Sequence, residues 1–471
     1  MRKYIITIFI CGLTLGLNAC APFAPEIKES GDALVPQYYS LYSDNEPYVP
    51  AEWWRAFNDF ELNFMVDTAL KENLDIRQAW ARLDQATARY RQAFGGLLPS
   101  IELSGGYSAQ RRRTDVRAGA ASTHLGNTES YTLGLFASYE IDLWGRVDAS
   151  VKSQRYNLEA TRDDLFTMSE SIAATVVNYW VRIIAARQEI ALLQRQLALN
   201  EKYLALVELR YANGMVTALD VFQQRQAVAH TKTQLPLAAR DEQLLVNDLK
   251  LLLGQPHDFE LKITRADLPD LESVPETGIP AGLLQNRPDV RAAGKRLYAA
   301  QWGIAQARAN RLPALRLTAG GQATSDNLAQ LFNSWLLSLA ANLTAPIFEG
   351  GARIAEVDYQ RALAEENLNS YKQTVLTAVN EVEAALLGEK AQREYLAHLE
   401  NQMEAARLAL DEATFHYING LDSYLPVLTQ LATVQELEIT QVNQKAELLV
   451  NRINMYRALG GGDLTQILLT N

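Results

Sequence analysis

The chain has 471 residues, a formal charge of −11, 48% hydrophobic and 21% charged residues, and two cysteines. Those proportions exclude an intrinsically disordered chain and a bundle of membrane-spanning helices. The negative balance argues against nucleic acid as a partner, and with Cys11 inside the expected leader Cys20 is the one mature cysteine, which allows no disulfide framework and no cysteine-based metal site.

Arg2-Lys3 precedes an apolar run from Tyr4 to Leu17, then Leu17-Asn18-Ala19-Cys20. A positive start, a short apolar run and a small residue before the cleavage point predict a signal peptide over 1–19 rather than a membrane span. The Leu-x-Ala-Cys ending resembles the bacterial lipobox, which implies lipidation of Cys20. The alternative is an ordinary signal peptide that happens to contain a cysteine. Ala21, where retained lipoproteins carry aspartate, favours sorting to the outer membrane. Loss of Arg2 and Lys3 takes the charge from −11 to −13, and an acidic wall suits a water-filled duct that prefers cations. Residues 20–60 form the lipidated N-terminal segment.

The first structural repeat spans 61–254. Its segment 73–99, opening Asn73-Leu74-Asp75 and ending Leu98-Pro99, returns at 287–313, opening Arg287-Pro288-Asp289-Val290 and ending Leu312-Pro313. A period of about two hundred residues far exceeds the roughly 20–50 of solenoids, so the unit is domain-sized and the protomer pseudo-symmetric. Strands are predicted at about 100–111 and 130–143. Ile101, Leu103, Tyr107 and Ala109 alternate with Glu102, Ser104, Ser108 and Gln110, and Tyr131 to Leu143 alternates likewise with Thr132, Ser138, Glu140 and Asp142.

A helical hairpin is predicted at about 148–253. Ile172, Val176, Tyr179, Ile183, Ala186, Ile190, Leu193, Leu197, Asn200, Leu204, Val207 and Tyr211 step by fours and threes, the period of a coiled coil. Asn200 is the one polar lapse. A second stripe, Ala185, Leu192, Leu199 and Leu206, gives each helix a neighbour on either side, the geometry of a ring; burial in a globular core is the alternative. Asn213-Gly214 marks the turn, since glycine tolerates φ > 0.

Residues 255–285 are Pro-rich and interrupt the helical pattern, reading as an equatorial linker. The second repeat, 286–460, predicts strands at about 314–324 and 335–347 and a hairpin at about 354–459. Leu315, Leu317 and Ala319 face away from Arg316, Thr318 and Gln322, and Leu337 to Ala345 faces away from Ser338, Asn342 and Thr344. The heptad register continues from Ala378 to Tyr417 with Glu389 and Gln392 as lapses, and turns at Asn419-Gly420. Residues 461–471 are the tail. Strands of about ten residues with one apolar face suit a transmembrane β-barrel; a soluble sandwich is the alternative. Four strands cannot close, since such barrels need about eight or more, and lipid tolerates no open edge. The barrel must be shared, by a dimer or a trimer.

Several stretches resemble the TolC-like outer-membrane efflux channels, in the lipid-anchored branch serving tripartite drug pumps. They are Trp53-Trp54 with Phe57, Glu140 to Arg146, Ile279 to Leu284 leading to Arg287-Pro288-Asp289-Val290, Pro346 to Gly351, and Tyr417 to Gly420. The resemblance implies a mixed, mainly α fold. Four transmembrane β-strands and two long coiled-coil hairpins per protomer would form a shared β-barrel on an α-helical barrel in a homotrimer. It implies a passive outer-membrane duct with a periplasmic helical tunnel, loops near 111–130 and 325–334 facing the exterior, and a belt at 255–285 and the tail. The tips at Gly214 and Gly420 would meet a periplasmic adaptor protein joined to an inner-membrane efflux pump. No cofactor is implied beyond the covalent, palmitate-bearing lipid on Cys20.

Two departures stand out. Gly294 occupies a position where related channels often carry glutamate. At the periplasmic mouth, relatives present a leucine, an aspartate and an arginine, and the matching residues here are Leu425, Thr429 and Ala432. An apolar constriction at Leu425 is the implied gate, with Asp220 and Arg225 as latch contacts or, alternatively, a solvated helix start.

An enzyme is disfavoured. The five histidines are scattered, no His-Glu-x-x-His, Gly-x-Ser-x-Gly or Walker sequence occurs, and Glu381 and Glu383, two apart on a helix, do not face each other. The rival functions are a type I secretion or metal-efflux channel, against which sparse methionine counts only for copper, and a poreless helical structural lipoprotein.

Overall fold

The computed structural model describes residues 22–25, 35–36, 39, 52–115, 123–271 and 282–461. The predicted signal peptide, Cys20, and all of the tail after residue 461 lie outside the described residues. After a 3-10 turn at Trp53–Phe57 come α1 (Phe60–Glu72), α2 (Leu74–Gly95), β1 (Ser100–Asp115), β2 (Thr123–Ile141), α3 (Arg146–Ala212) and α4 (Ala218–Leu252). The second half holds α5 (Leu283–Asn286), α6 (Pro288–Ala309), β3 (Ala314–Ser325), β4 (Trp335–Thr344), α7 (Ala352–Ile418) and α8 (Leu425–Ala458). The chain divides into two compact units, one containing Leu83–Thr161 and Ala292–Tyr371, the other built mainly from Arg162–Arg291 and the residues from Lys372 on.

The first unit carries the sheet, antiparallel throughout, in the order β1-β2-β3-β4. Its register collects the alternating apolar residues on one face. Leu103 pairs with Leu135, Leu135 with Gly321 and Gly321 with Leu337, while the next row runs Ile101, Ala137, Ala319, Leu339. Leu103, Leu135 and Leu337 are exposed, and Leu339 is 82% exposed. A soluble sandwich would bury this face; here it lies open. The other face carries Ser104, Gln322, Ser138, Thr318 and Asn342, with Glu140 between Arg146 at 2.7 Å and Arg316 at 3.6 Å.

The strand bounds differ from the predicted ones for backbone reasons. Pairing continues through the polar residues to Asp115 and Thr123, because the ladder is made by main-chain groups whatever the side chains, so the loop expected over 111–130 contracts. The stretch 325–334 includes a 3-10 turn, Leu328–Asn333, whose Ala329 N–H donates to Asn327 at 3.0 Å. Just ahead of β4, Thr324 N–H donates to the Ser334 carbonyl at 3.3 Å. Even-numbered residues of β4 therefore point their backbone at β3, and Pro346 has no N–H with which to prolong that ladder. The ladder stops at Thr344.

Helices α3 and α7 each run 67 residues, about 100 Å at roughly 1.5 Å per residue. The duplication is visible in their closures. Gly214, Gly254, Gly420 and Gly460 all have positive φ and end α3, α4, α7 and α8 with the same paired bonds. At the first of them, Gly214 N–H donates to Tyr211 O and Met215 N–H to Arg210 O, both at 2.9 Å. Asn73 Nδ2 donates to Leu252 O at 2.7 Å, and its counterpart Arg287 donates from Nη1 to Ala458 O at 3.0 Å, the same position in the second copy. Arg287 also binds Asp289 (2.7 Å) and Glu381 (2.8 Å). Its burial opposes the charge, and those two carboxylates outweigh it.

The polar lapses of the second heptad register are satisfied across helices. Gln392 Nε2 donates to Gln444 O at 3.0 Å. Glu389 and Arg452, each 2% exposed, pair at 2.6 Å, and Arg393 adds a contact at 2.9 Å. Burial pushes the Glu389 carboxyl up, but Arg452 and then Arg393 more than offset it, holding its pKa below the usual carboxylate value. A depressed folded pKa means stability present above the unfolded value of about 4.3 and lost as pH falls through the folded one. Arg452→Met, which leaves the buried Glu389 carboxylate with Arg393 as its remaining cation, is expected to cost up to about 3–5 kcal/mol in urea unfolding at neutral pH. Arg452→Met combined with Glu389→Leu should recover most of that loss; equal instability of the two variants would contradict an ionic origin.

Candidate functional site

The hairpin tips carry the residues on which function was placed. Gly214 (φ 72) and Gly420 (φ 71) sit in matching turns, and Asn213 and Asn419 each return a side-chain amide to the helix behind them at 2.8 Å. Around the turns Met215, Leu219, Phe222, Ile418 and Leu421 are exposed. Beneath them Val207, Val221, Tyr417, Tyr424 and Val427 form a buried cluster, with Tyr417 and Tyr424 5.1 Å apart between ring centres and Arg210 4.4 Å over Tyr417. The tips are held from inside and apolar outside.

Asp220 closes a capping box at the start of α4. Its carboxylate accepts from the Thr217 N–H at 2.8 Å and hydroxyl at 2.9 Å, and its own N–H donates to Thr217 Oγ1 at 3.4 Å. Arg225 pairs with Glu208 of α3 at 2.7 Å. Both have partners within the first hairpin, the arrangement of a helix start. Leu425 is the first residue of α8 and 53% exposed. Thr429 and Ala432 follow it on the same exposed face, four and seven residues on. Thr429 donates its hydroxyl to the Leu425 carbonyl at 2.9 Å, so this face offers an alkyl group, a satisfied hydroxyl and a methyl.

Sequence reasoning missed the group that holds this face in place. Tyr424, 1% exposed, donates its hydroxyl to Gln224 Oε1 of α4 at 2.8 Å. Gln224 Nε2 donates to Asn200 O at 2.7 Å. The Asn200 amide exchanges bonds with Gln435 of α8 at 3.1 and 3.3 Å, and donates to Thr231 at 3.1 Å. One buried polar layer thus joins α3, α4 and α8. Its signal in the sequence was Asn200, the lapse in a clean heptad run. Burial also raises the Tyr424 phenol, which stays protonated as a donor.

On the polar face of the sheet Phe136 and Leu336, the latter opposite Gln322, are the large apolar exceptions, and Phe136 is the one seated between glycines. A Cβ at Gly134 would lie 2.6 Å from its ring and one at Gly320 2.7 Å, so the two glycines make the bed in which the ring lies. Glu381, weighed as half of a carboxylate pair, is engaged by Arg287, and His398 is exposed. Among the described residues no helix is long and apolar enough to cross a membrane, and the open apolar face belongs to the sheet.

A family model described as outer membrane efflux protein matches residues 65–255 and 279–461. The chain is 32% identical to the pyoverdine export outer membrane protein OpmQ of Pseudomonas aeruginosa, across 95% of this chain and 94% of that one. It is 30% identical to the antibiotic efflux pump outer membrane protein ArpC of Pseudomonas putida, across 97% and 94%. Of solved structures, the outer-membrane channel OprN matches with a TM-score of 0.84 at 26% identity, covering 94% of this chain and 99% of that one. The outer membrane protein VceC of Vibrio cholerae matches at 0.81 and 26%, covering 88% and 100%.

Tyr424→Phe removes the donor to a buried acceptor, a loss of about 1 kcal/mol. Amide exchange across residues 421–435 is expected to quicken about fivefold. Unchanged protection there would mean that the layer does not hold the start of α8.

Proposed function

The chain belongs to the outer membrane efflux protein family, and on that premise we propose that this outer-membrane efflux channel is the passive exit duct of a tripartite system. The observation that carries the reading is a four-stranded sheet with one open apolar face and one polar face, joined in a single protomer to two long helical hairpins. The unpaired edges of β1 and β4 call for further copies. A homotrimer gives twelve strands, within the range of closed transmembrane barrels.

The exposed apolar residues around Gly214 and Gly420 suit contact with a periplasmic adaptor, through which an inner-membrane pump would deliver substrate and energy. Pyoverdine and antibiotics appear in the names of the two relatives above, which supports small organic molecules over proteins as cargo. The periplasmic mouth would be closed by Leu425 with Thr429 beneath it, an alkyl constriction without the acidic and basic rings of related channels. Asp220 and Arg225 would steady the first hairpin against which the second moves, a two-state change between packed helices. A lipid on Cys20 would add an anchor to the barrel.

Electron microscopy of detergent-extracted protein tests the assembly: a threefold hollow particle is expected, and a solitary rod would refute it. Leu425→Ala should raise resting conductance in planar bilayers and antibiotic uptake in cells, since it trims an exposed alkyl group at the mouth. Wild-type conductance and uptake would remove Leu425 from the gate. Cys20→Ser should weaken membrane retention without loss of folding; identical fractionation would show that the barrel alone suffices.

A further inference from the structure

The duplication supplies a template for the contact between copies. Within the protomer, β1–β2 and β3–β4 are the same pairing made twice: Ser100 meets Ser138 at its start, and Ala314 meets Thr344. Between the two repeats runs an internal seam, β2–β3, in which Ile141 faces Leu315. The counterpart of Ile141 in the second repeat, at the same displacement as Ser138 to Thr344, is Ile347. The counterpart of Leu315 in the first repeat, as Ala314 to Ser100, is Ile101. We infer that β4 of one copy pairs antiparallel with β1 of the next in the register that sets Ile347 opposite Ile101, repeating the internal seam at the interface between copies. The inference rests on the shared-barrel reading above and goes beyond it by naming the register.

Three observations support this register. It keeps the faces matched, since the odd-numbered residues of both strands lie on the apolar face. Beyond the Ile347–Ile101 pair, which matches Ile141–Leu315 of the internal seam, it sets large groups against small ones: Ala341 meets Tyr107, Leu343 meets Gly105 and Leu339 meets Ala109. Tyr107, Leu343 and Leu339 are all exposed in the single chain. A slip of two residues one way places Leu339 against Tyr107, and the other way Leu343 against Tyr107. Each slip crowds two large side chains and leaves an alanine facing glycine or alanine. The backbone agrees as well. The odd-numbered residues of β4 point outward, because Thr324 N–H reaches the even-numbered Ser334. Ala345 and Ile347 keep their outward N–H groups, so the outer edge can pair past Pro346, where the inner ladder has stopped.

Even-numbered residues across this seam form the non-hydrogen-bonded pairs, about 4.5 Å apart at Cα, within disulfide reach. Ser108 and Ala340 are such a pair. Within one chain they sit on opposite edges of the sheet. In the full-length protein, Ser108→Cys with Ala340→Cys is expected to give covalent oligomers on a non-reducing gel after oxidation of membranes. Ala340→Cys combined with Gly106→Cys or with Gln110→Cys, the two slipped registers, should stay monomeric. Cross-linking of a slipped pair instead would overturn the register and leave the shared barrel standing. Absence of cross-links in all three, with the protein in the outer-membrane fraction, would overturn both.

Discussion

A β-strand edge in hydrocarbon has no water to bond its N–H and C=O groups, and each unsatisfied group costs several kcal/mol. The sheet here has two such edges, β1 and β4, and one face of exposed leucines. Either feature alone could be managed in water, an edge by charge and an apolar face by a covering helix. Together, in an outer-membrane channel, they admit one physical remedy, which is closure with more strands. The apolar face makes lipid a favourable solvent, and lipid then forbids the open edge. The requirement for several copies is thus written into the pairing of the strands.

The same logic, with the sign of solvent reversed, governs the helices. A continuous apolar seam would let helices slide, because leucines pack nearly as well one turn along. The interruptions fix the register. Asn200 binds Gln435 and Thr231, Glu389 binds Arg452, and Gln392 binds Gln444. Each bond satisfies a buried polar group only when one helix stands opposite one stretch of another, since burying it unpartnered costs about 1–3 kcal/mol or more. A one-turn slip would break all of them.

That is also why the sequence disclosed the positions of the lapses and not their partners. Heptad period and strand alternation depend on each residue's own character, so the four strands, the two long hairpins and the glycine turns could be read locally. Gln224 and Gln435 stand in other helices and Tyr424 just ahead of one, and nothing in their own neighbourhoods marks them as members of the layer around Asn200. The strand ends were misjudged for a related reason: Arg111 to Asp115 carry no apolar alternation, yet their main chain pairs as well as any other. Phe136 escaped because it breaks the alternation. Gly134, two residues earlier on β2, and Gly320, opposite on β3, make room for it. At the tips, Leu425 was placed by resemblance and stands exposed with Thr429 and Ala432. The capping role of Asp220 follows from Thr217 three residues earlier, a pattern visible in the sequence but not singled out.

The two copies have diverged where their return helices begin, and the difference bears on how the mouth would work. Helix α4 is closed by its own capping box, Thr217 with Asp220, and needs nothing from the second hairpin to start where it does. Helix α8 has no side-chain cap at Tyr424; a proline follows Leu425, fixing the local turn without tying it to anything. What secures the start of α8 is the Tyr424 hydroxyl on Gln224, a bond to the first hairpin. One hairpin is therefore self-contained and the other leans on it. In a duct that opens by moving its mouth, the leaning hairpin would be the one to move, held at the start of α8 by that hydrogen bond, by the Gln435–Asn200 pair and by the packing of Tyr424 and Val427 on Val207 and Val221. A neutral bond of this kind contributes about 1 kcal/mol, one modest part of what fixes the start of α8.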